Sequence, residues 1–398
     1  MVTPLAARIL ATTPSPVMEA RRWVAAATFP PDRPLLNLSQ AAPMDPPPES
    51  LRDAMVEMLG DPACHVYGPV LGLPELRAEI AERWSAAYGG AIAPADVAVT
   101  AGCNMAFCAA MATIAGPGDA VILPVPWYFN HKMWLDLQGI AAIPLPCGPG
   151  MIPDPEAAAR LMGPRVRAIV LVTPNNPTGA EYPAGVVAAF AELARRHGAA
   201  LVLDETYRDF DGRTGAPHGL FADPDWRETL VHLYSFSKAF RLTGHRTGAL
   251  IAHPDRLAQA EKFLDTTTIC APQLGQRAAL WGLRHLGDWV AGERAEVLRR
   301  RAAMRAVLEA LPGWEVLGAG AYFAYVRHPH PEPSDRLAQR LVAERSLLTL
   351  PGTMFAPEGA GCGELRLAFA NLTLGGIAEL GRRLGSETVG MKRAAPNR

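Results

Sequence analysis

The sequence predicts an α/β protein: a large domain built on a mostly parallel sheet sandwiched by helices, with a smaller α+β domain formed by the N-terminal arm and the C-terminal segment. Three observations carry this. Short apolar runs alternate with longer helical stretches through the middle of the chain. The runs are apolar at successive positions, as strands covered on both faces must be. The chain has 398 residues, more than one hydrophobic core normally supports, so a second core is expected.

The first fifty residues hold many prolines, including Pro46-Pro47-Pro48, and read as an irregular arm with one short helix around Met18 to Ala27. The strand pattern begins at Val97. Its runs are Val97 to Thr100, Ala120 to Leu123, Ala168 to Val172, Ala200 to Leu203, Leu230 to Tyr234 and Gly248 to Ala252. After Pro272 one long helical pattern passes Gln276, Leu280 and Leu283, continues beyond Arg300 and stops at Leu311-Pro312-Gly313. Tyr322 to Val326, Leu347 to Leu350 and Glu364 to Phe369 then read as strands, with a helix over Asp335 to Glu344. The expected division is an arm over 1–50, a large domain over 51–290 and a small domain over 291–398, the last boundary falling inside the long helix.

Composition narrows the function. Lys plus Arg (38) almost cancels Asp plus Glu (39), so nothing electrostatic points to nucleic acid or an anionic membrane, and a small-molecule partner is expected. Cys64, Cys103, Cys108, Cys147, Cys270 and Cys362 are scattered without a CxxC pair. No early segment has the signature of a secretory leader, and the longest apolar stretches fall short of a membrane span, so a cytoplasmic protein is expected. No metal site is expected: His328-Pro329-His330 is the only close His pair, and it reads as a solvated loop without an acid or cysteine cluster.

In parallel sheets ligands bind beyond the carboxyl ends of the strands, so the polar residues after each run matter most. Val97 to Thr100 is followed by Ala101-Gly102-Cys103-Asn104 and a helical pattern, which suits a phosphate at a helix N-terminus or an ordinary capped turn. Ala168 to Val172 leads into Thr173-Pro174-Asn175-Asn176-Pro177-Thr178-Gly179, a dense turn that fixes an amide. Asp204 ends the next run, with Tyr207 three residues on. An acid there needs a cation or donor, unless it caps the following helix.

Leu230 to Tyr234 ends in Ser235-Phe236-Ser237-Lys238, with Arg246 and Gly248 shortly after. Two hydroxyls and a guanidinium suit phosphate oxygens, and an amine beside them could form an imine with a carbonyl. Arg366 lies in the apolar run Glu364 to Phe369, where a buried guanidinium needs an anion, either internal or a substrate carboxylate.

Together these residues resemble the class I/II aminotransferases, fold type I pyridoxal 5'-phosphate (PLP) enzymes of the aspartate aminotransferase superfamily. The resemblance covers roughly Leu35 to Phe369. It rests on Tyr67-Gly68 with Gly72-Leu73-Pro74-Glu75-Leu76-Arg77, the Thr100 to Asn104 turn, Asn176-Pro177-Thr178-Gly179, Asp204-Glu205-Thr206-Tyr207, Ser235-Phe236-Ser237-Lys238 with Arg246, and Arg366.

The resemblance implies a seven-stranded sheet and a ping-pong transfer of the amino group of an L-amino acid to a 2-oxo acid. It implies that Lys238 forms the Schiff base and shuttles the proton, and that Asp204 pairs with the pyridine nitrogen. Asn176 and Tyr207 would bind the phenolic oxygen, and Tyr128 of Pro126-Trp127-Tyr128 would stack on the ring. Gly102, Cys103, Asn104, Ser235, Ser237 and Arg246 would cradle the phosphate. Arg366 would hold the substrate carboxylate, with Asn176 and Ala41 also at the substrate. Tyr67 would reach the neighbouring subunit's phosphate, implying a homodimer with shared sites.

Ala41 stands where this family commonly has glycine, and Ala101 and Cys103 stand where other small residues are more usual, which leaves the substrate open. No second arginine suits a dicarboxylate side chain. Other PLP chemistry, C–S β-elimination or amino-acid oxidation, remains the alternative. Two further classes fit less well. Ser235-Phe236-Ser237-Lys238 matches the SxxK of serine hydrolases but follows a strand rather than opening a helix. A transcriptional regulator needs a DNA-binding segment, for which the first thirty-five residues are too short and neutral.

Overall fold

The computed structural model describes residues 3–43 and 45–393. Its centre is a seven-stranded sheet in the spatial order Val97–Thr100, Gly248–Ile251, Leu230–Ser235, Ala200–Asp204, Val166–Val172, Ala120–Val125, Ala141–Pro146. The last five are parallel neighbours. Gly248–Ile251 runs antiparallel to both strands beside it.

Side-chain alternation divides the sheet between two cores. Val97, Val99, Ile169, Leu171, Leu201 and Leu203 pack on one face, against Trp84 and Phe190. Ala98, Val121, Val170, Val202 and Leu250 pack on the other, against Phe107 and Leu257. With both faces covered, the ends are where polar groups can meet water or a ligand.

A smaller antiparallel sheet orders Leu350–Pro351, Glu364–Ala368, Phe323–Arg327 and Glu315–Gly320. The arm joins it twice. Leu36–Asn37 pairs in parallel with Leu347–Leu348, and the helix Pro16–Ala25 buries Ala20 beside Val342, Leu348, Leu350 and Phe355.

The differences from the sequence reading have local causes. The long helix is two helices, Gln273–His285 and Gly287–Glu309, because Leu286 turns out of the helical path to bury its side chain in the core, and glycine follows it. Ala141–Pro146, not expected as a strand, carries Pro144 and Pro146; it lies at the sheet edge, where a missing N–H costs no ladder bond. Glu315–Gly320 was hidden by Gly318 and Gly320, which weaken any strand pattern. His328 and His330 are buried rather than solvated, with the His330 ring 6.0 Å from Trp314. Among the described residues no cluster could hold a metal ion, and no helix is long and apolar enough to cross a membrane.

One contact between the two sheets is made by bare backbone. Gly179 has φ 74°, and a Cβ there would lie 2.3 Å from Gly320 N. A Cβ on Gly320 would lie 2.1 Å from Gly179 O. Gly179→Ala is therefore expected to cost about 3 kcal/mol through left-handed strain and the forced separation of the two segments. Denaturant unfolding checks this, and an unchanged midpoint would refute the contact.

Candidate active site

The carboxyl ends of the central strands open onto a cavity of about 370 Å³. It is lined by Ala41, Cys103, Asn104, Tyr128, Asn176, Asp204, Tyr207, Ser235, Ser237, Lys238, Arg246 and Arg366, so twelve of the fourteen residues singled out in the sequence meet at one place. Gly102 stands immediately behind it. Tyr67 is apart from it and 76% exposed.

Lys238 reaches the cavity because strand Leu230–Ser235 runs straight into the single turn Phe236–Ala239, whose start is tied by Ser237 N–H donating to Ser235 Oγ at 3.3 Å. Phe236 and Ala239 are buried in the core behind it, which leaves Lys238 facing forward. Its Nζ donates to the Ala41 carbonyl at 2.5 Å and lies 5.7 Å from the Tyr207 ring centre. Burial, aided by the charges of Arg246 and Arg366, lowers its pKa to about 8.

Arg246 closes one wall. It adopts a left-handed φ of 51°, and its Nη1 donates to Thr243 O at 3.0 Å and to Ser237 Oγ at 3.4 Å. Gly102 makes room for it: at φ 87°, a Cβ there would stand 2.2 Å from Arg246 Nη2. Helix Cys103–Ala112 starts at the same point, directing its positive end to the guanidinium and the two serines. This wall suits a dianion.

The opposite chemistry sits at Asp204. Its Oδ1 accepts the Thr206 N–H at 2.9 Å, and its Oδ2 lies 3.4 Å from His131 Nε2. Burial pushes this carboxyl up, but His131 and Thr206 more than reverse that, so it is held below the ordinary aspartate value and stays ionised. His131 is itself fixed, its ring stacked on Phe107 at 3.8 Å and edge-on to Tyr128 at 4.9 Å. The Tyr128 hydroxyl accepts from Asn130 Nδ2 at 2.9 Å and donates to Asn104 Oδ1 at 3.3 Å. Burial raises its pKa to about 12, so it remains a neutral phenol.

Asn175 builds the turn that presents Asn176: its Oδ1 accepts from the Thr178 N–H and hydroxyl at 3.0 and 2.8 Å. Asn176 Oδ1 in turn accepts from Arg366 Nη1 at 3.0 Å. Arg366 Nη2 donates to the Ser39 carbonyl, and its guanidinium lies between Phe323 and Phe355, 5.1 and 5.0 Å from their ring centres. Burial lowers its pKa to about 10, and among the described residues no carboxylate pairs with it. A buried cation supported by carbonyl oxygens and aromatic faces is ready for an anionic ligand.

Sequence reasoning missed several residues here. Ser15 and Val17 of the arm and Phe129, Asn130, Thr206 and Thr243 also line the cavity. His131 had a readable signal: it lies three residues after Tyr128 on the helix Phe129–Gln138, hence on the same side. The arm had none, since its place depends on packing against the smaller sheet.

The family model for aminotransferase class I and II matches residues 33–384. The chain belongs to that family. It is 28% identical to an aromatic aminotransferase of Arabidopsis thaliana over 92% of both chains. It is 30% identical to an aspartate/prephenate aminotransferase of Thermus thermophilus over 84% of this chain and 86% of that protein, and 31% identical to a valine–pyruvate aminotransferase of Mycobacterium tuberculosis over 88% and 90%. Among solved structures, the aspartate aminotransferase of Thermus thermophilus with maleate superposes with a TM-score of 0.87 at 27% identity, covering 97% of this chain and all of that one. The protein is accordingly a PLP-dependent aminotransferase acting on amino acids and 2-oxo acids.

The lowered pKa of Lys238 sets a pH dependence. The neutral amine attacks an aldehyde, and the group is half neutral near pH 8 in the folded protein. Reaction of Lys238 with an added aldehyde is therefore expected to accelerate as pH rises through about 8. A stopped-flow profile that keeps rising to pH 10, the ordinary range of a lysine, would contradict the burial account. The same shift means the charged amine is a cost to the fold below pH 8, so its contribution to stability rises between pH 8 and the unfolded value.

Proposed function

We propose that this aminotransferase works through Lys238, Asp204 and Tyr207, and that it takes L-amino acids with uncharged side chains. The single observation that carries the reading is the convergence of a neutralisable amine, a buried carboxylate anion and an unpaired buried guanidinium on one cavity.

The residues fit PLP. The wall of Ser235, Ser237, Arg246 and the helix start at Gly102, Cys103 and Asn104 would hold its phosphate; Asp204 would hold its ring nitrogen as a cation; Asn176 and Tyr207 would bind its phenolic oxygen; Tyr128 would cover a ring face. When bound, PLP supplies an aldehyde carbon that exchanges amines and a ring that accepts the electron pair left at the substrate Cα. Arg366 binds the substrate α-carboxylate and orients the molecule. Lys238, in its neutral form, takes the Cα proton and returns it to the other side of the exchange. His131 and Thr206 keep Asp204 ionised through the cycle, and the aromatic walls exclude water.

The substrate class follows from counting cations. Those lining the cavity are Lys238, Arg246 and Arg366, and each has a place in this scheme. Among the described residues that line the cavity, none remains for a second carboxylate. Val17 and Phe129 add apolar surface beside Ser15, Gln40 and Asn130, and the relatives named for aromatic amino acids and valine are compatible with such a mixed wall. Exposed Tyr67, flanked by exposed Val66, supports a homodimer in which Tyr67 enters the neighbouring cavity. The scattered free cysteines support a cytoplasmic location.

Two measurements test this. The purified protein is expected to show a visible band with PLP that shifts when an amino acid is added and is absent in Lys238→Ala. With a 2-oxo acid present, uncharged amino acids should be consumed and L-aspartate should react at least about 10-fold more slowly, since an unmatched buried carboxylate costs several kcal/mol. Release of ammonia without a 2-oxo acid, with pyruvate or with peroxide, would instead indicate elimination or oxidation. For the shared site, mixing Lys238→Ala with Tyr67→Ala is expected to restore activity by forming one intact site per hybrid dimer; no recovery on subunit exchange would remove Tyr67 from the scheme.

A further inference from the structure

Behind the cavity, on the opposite side of the Asp204 strand end, lies a buried polar network that none of the steps above uses. Glu205 is fully buried. Its Oε2 accepts from the Tyr88 hydroxyl, contacts His232 Nε2 at 2.8 Å and lies 3.4 Å from His218 Nε2. The His218 ring stacks on Tyr88 at 4.7 Å. Arg208 adds the balancing cation: it donates to Tyr88 Oη at 3.3 Å, sits 4.0 Å from the Trp84 ring centre, and lies 3.7 Å from Asp209, which accepts from the Tyr234 hydroxyl at 2.6 Å. Burial pushes the Glu205 carboxyl up, but His218 and His232 outweigh it and hold it well below the usual glutamate range, so the anion persists.

The network joins three elements. Tyr88 and Trp84 belong to helix Pro74–Tyr88, His232 and Tyr234 to strand Leu230–Ser235, and Glu205 and Arg208 to the turn after Asp204. Residues adjacent in the chain to the network members line the cavity: Asp204, Thr206 and Tyr207 on one segment, Ser235 on the other. The backbone transmits the constraint, since Glu205 N–H donates to Leu233 O at 2.9 Å and Arg208 N–H to Glu205 O at 3.1 Å. The Glu205 main chain is thereby tied to strand Leu230–Ser235 on one side and to Arg208 on the other, with Asp204 next to it and Tyr207 between.

We propose that Glu205 is a positioning residue for the cofactor site: its carboxylate, shared by Tyr88 and His232, fixes the two strand ends that carry Asp204 and Lys238 relative to each other. It touches neither cofactor nor substrate. The inference rests on the assignment of Asp204 and Lys238 made above, and it adds to that assignment a reason why their spacing is held.

The test uses Glu205→Gln, which keeps the shape and removes the charge. Apo-protein is titrated with PLP, the visible band giving the dissociation constant, and kcat and KM are measured on the loaded enzyme. Loss of a charged buried hydrogen bond predicts a Kd for PLP weakened about 10-fold and a kcat lowered about 10-fold, with KM for the amino donor within about 3-fold of wild type. Tyr88→Phe, which removes one donor and keeps the ring packing, is expected to shift the same two quantities in the same direction by about 3-fold and serves if Glu205→Gln does not fold. Wild-type Kd and kcat in either variant, whatever its unfolding temperature, overturn the proposal. So does a loss of PLP affinity that vanishes when binding is measured well below a lowered apo unfolding temperature, since that marks a merely structural role. If wild-type protein forms no band with PLP, the reading of the site falls, and this inference with it.

Discussion

Burial of an amine beside two guanidinium groups is the constraint on which this chain is arranged. Lys238 shares its cavity with Arg246 and Arg366, and burial together with their positive charges disfavours its ammonium form. The conflict is resolved in two ways. Lys238 yields, with its pKa drawn down to about 8, which makes it a nucleophile and base near neutral pH. The arginines are held by carbonyl and amide oxygens, Arg246 by Thr243 and Arg366 by Ser39 and Asn176. What they lack is an anion, and the ligands of an aminotransferase bring a phosphate and a carboxylate.

The fold supplies this because a parallel sheet delivers its strand ends to one side. Four strands release their chain at the cavity, and the loops there carry Cys103, Asn176, Asp204 and Lys238. The antiparallel strand Gly248–Ile251 has a related role: it follows Arg246 directly and returns the chain between Val97–Thr100 and Leu230–Ser235, which sets the guanidinium beside Gly102 and Ser237. Asp204 needs a neighbour to remain an anion, and helix Phe129–Gln138 provides it in His131.

Relatives of similar identity are named for aromatic amino acids, aspartate with prephenate, and valine, so membership in the family fixes the reaction class and leaves the side chain open. Ser15 and Val17 of the arm and Phe129 and Asn130, which also line this cavity, lie outside the motifs by which the sequence resembles the family.

The sequence alone singled out the candidate site residues and the strands whose ends present them. Asp204 ends an apolar run, Arg366 lies within one, and Asn176 and Lys238 each follow one by four residues; charged groups so close to apolar strands have few inexpensive explanations, so local pattern was enough to single them out. It did not determine what holds them. The Ala41 carbonyl lies 197 residues from Lys238, His131 lies 73 positions before Asp204 in the chain, and Tyr88 lies 117 residues from Glu205. Such pairs leave no periodic trace, because they follow from how helices and arm pack over the sheet. The buried His328 and His330 and the turn at Leu286 were misread or missed for the same reason: burial is a property of the packed layers and is only partly written in the neighbouring residues.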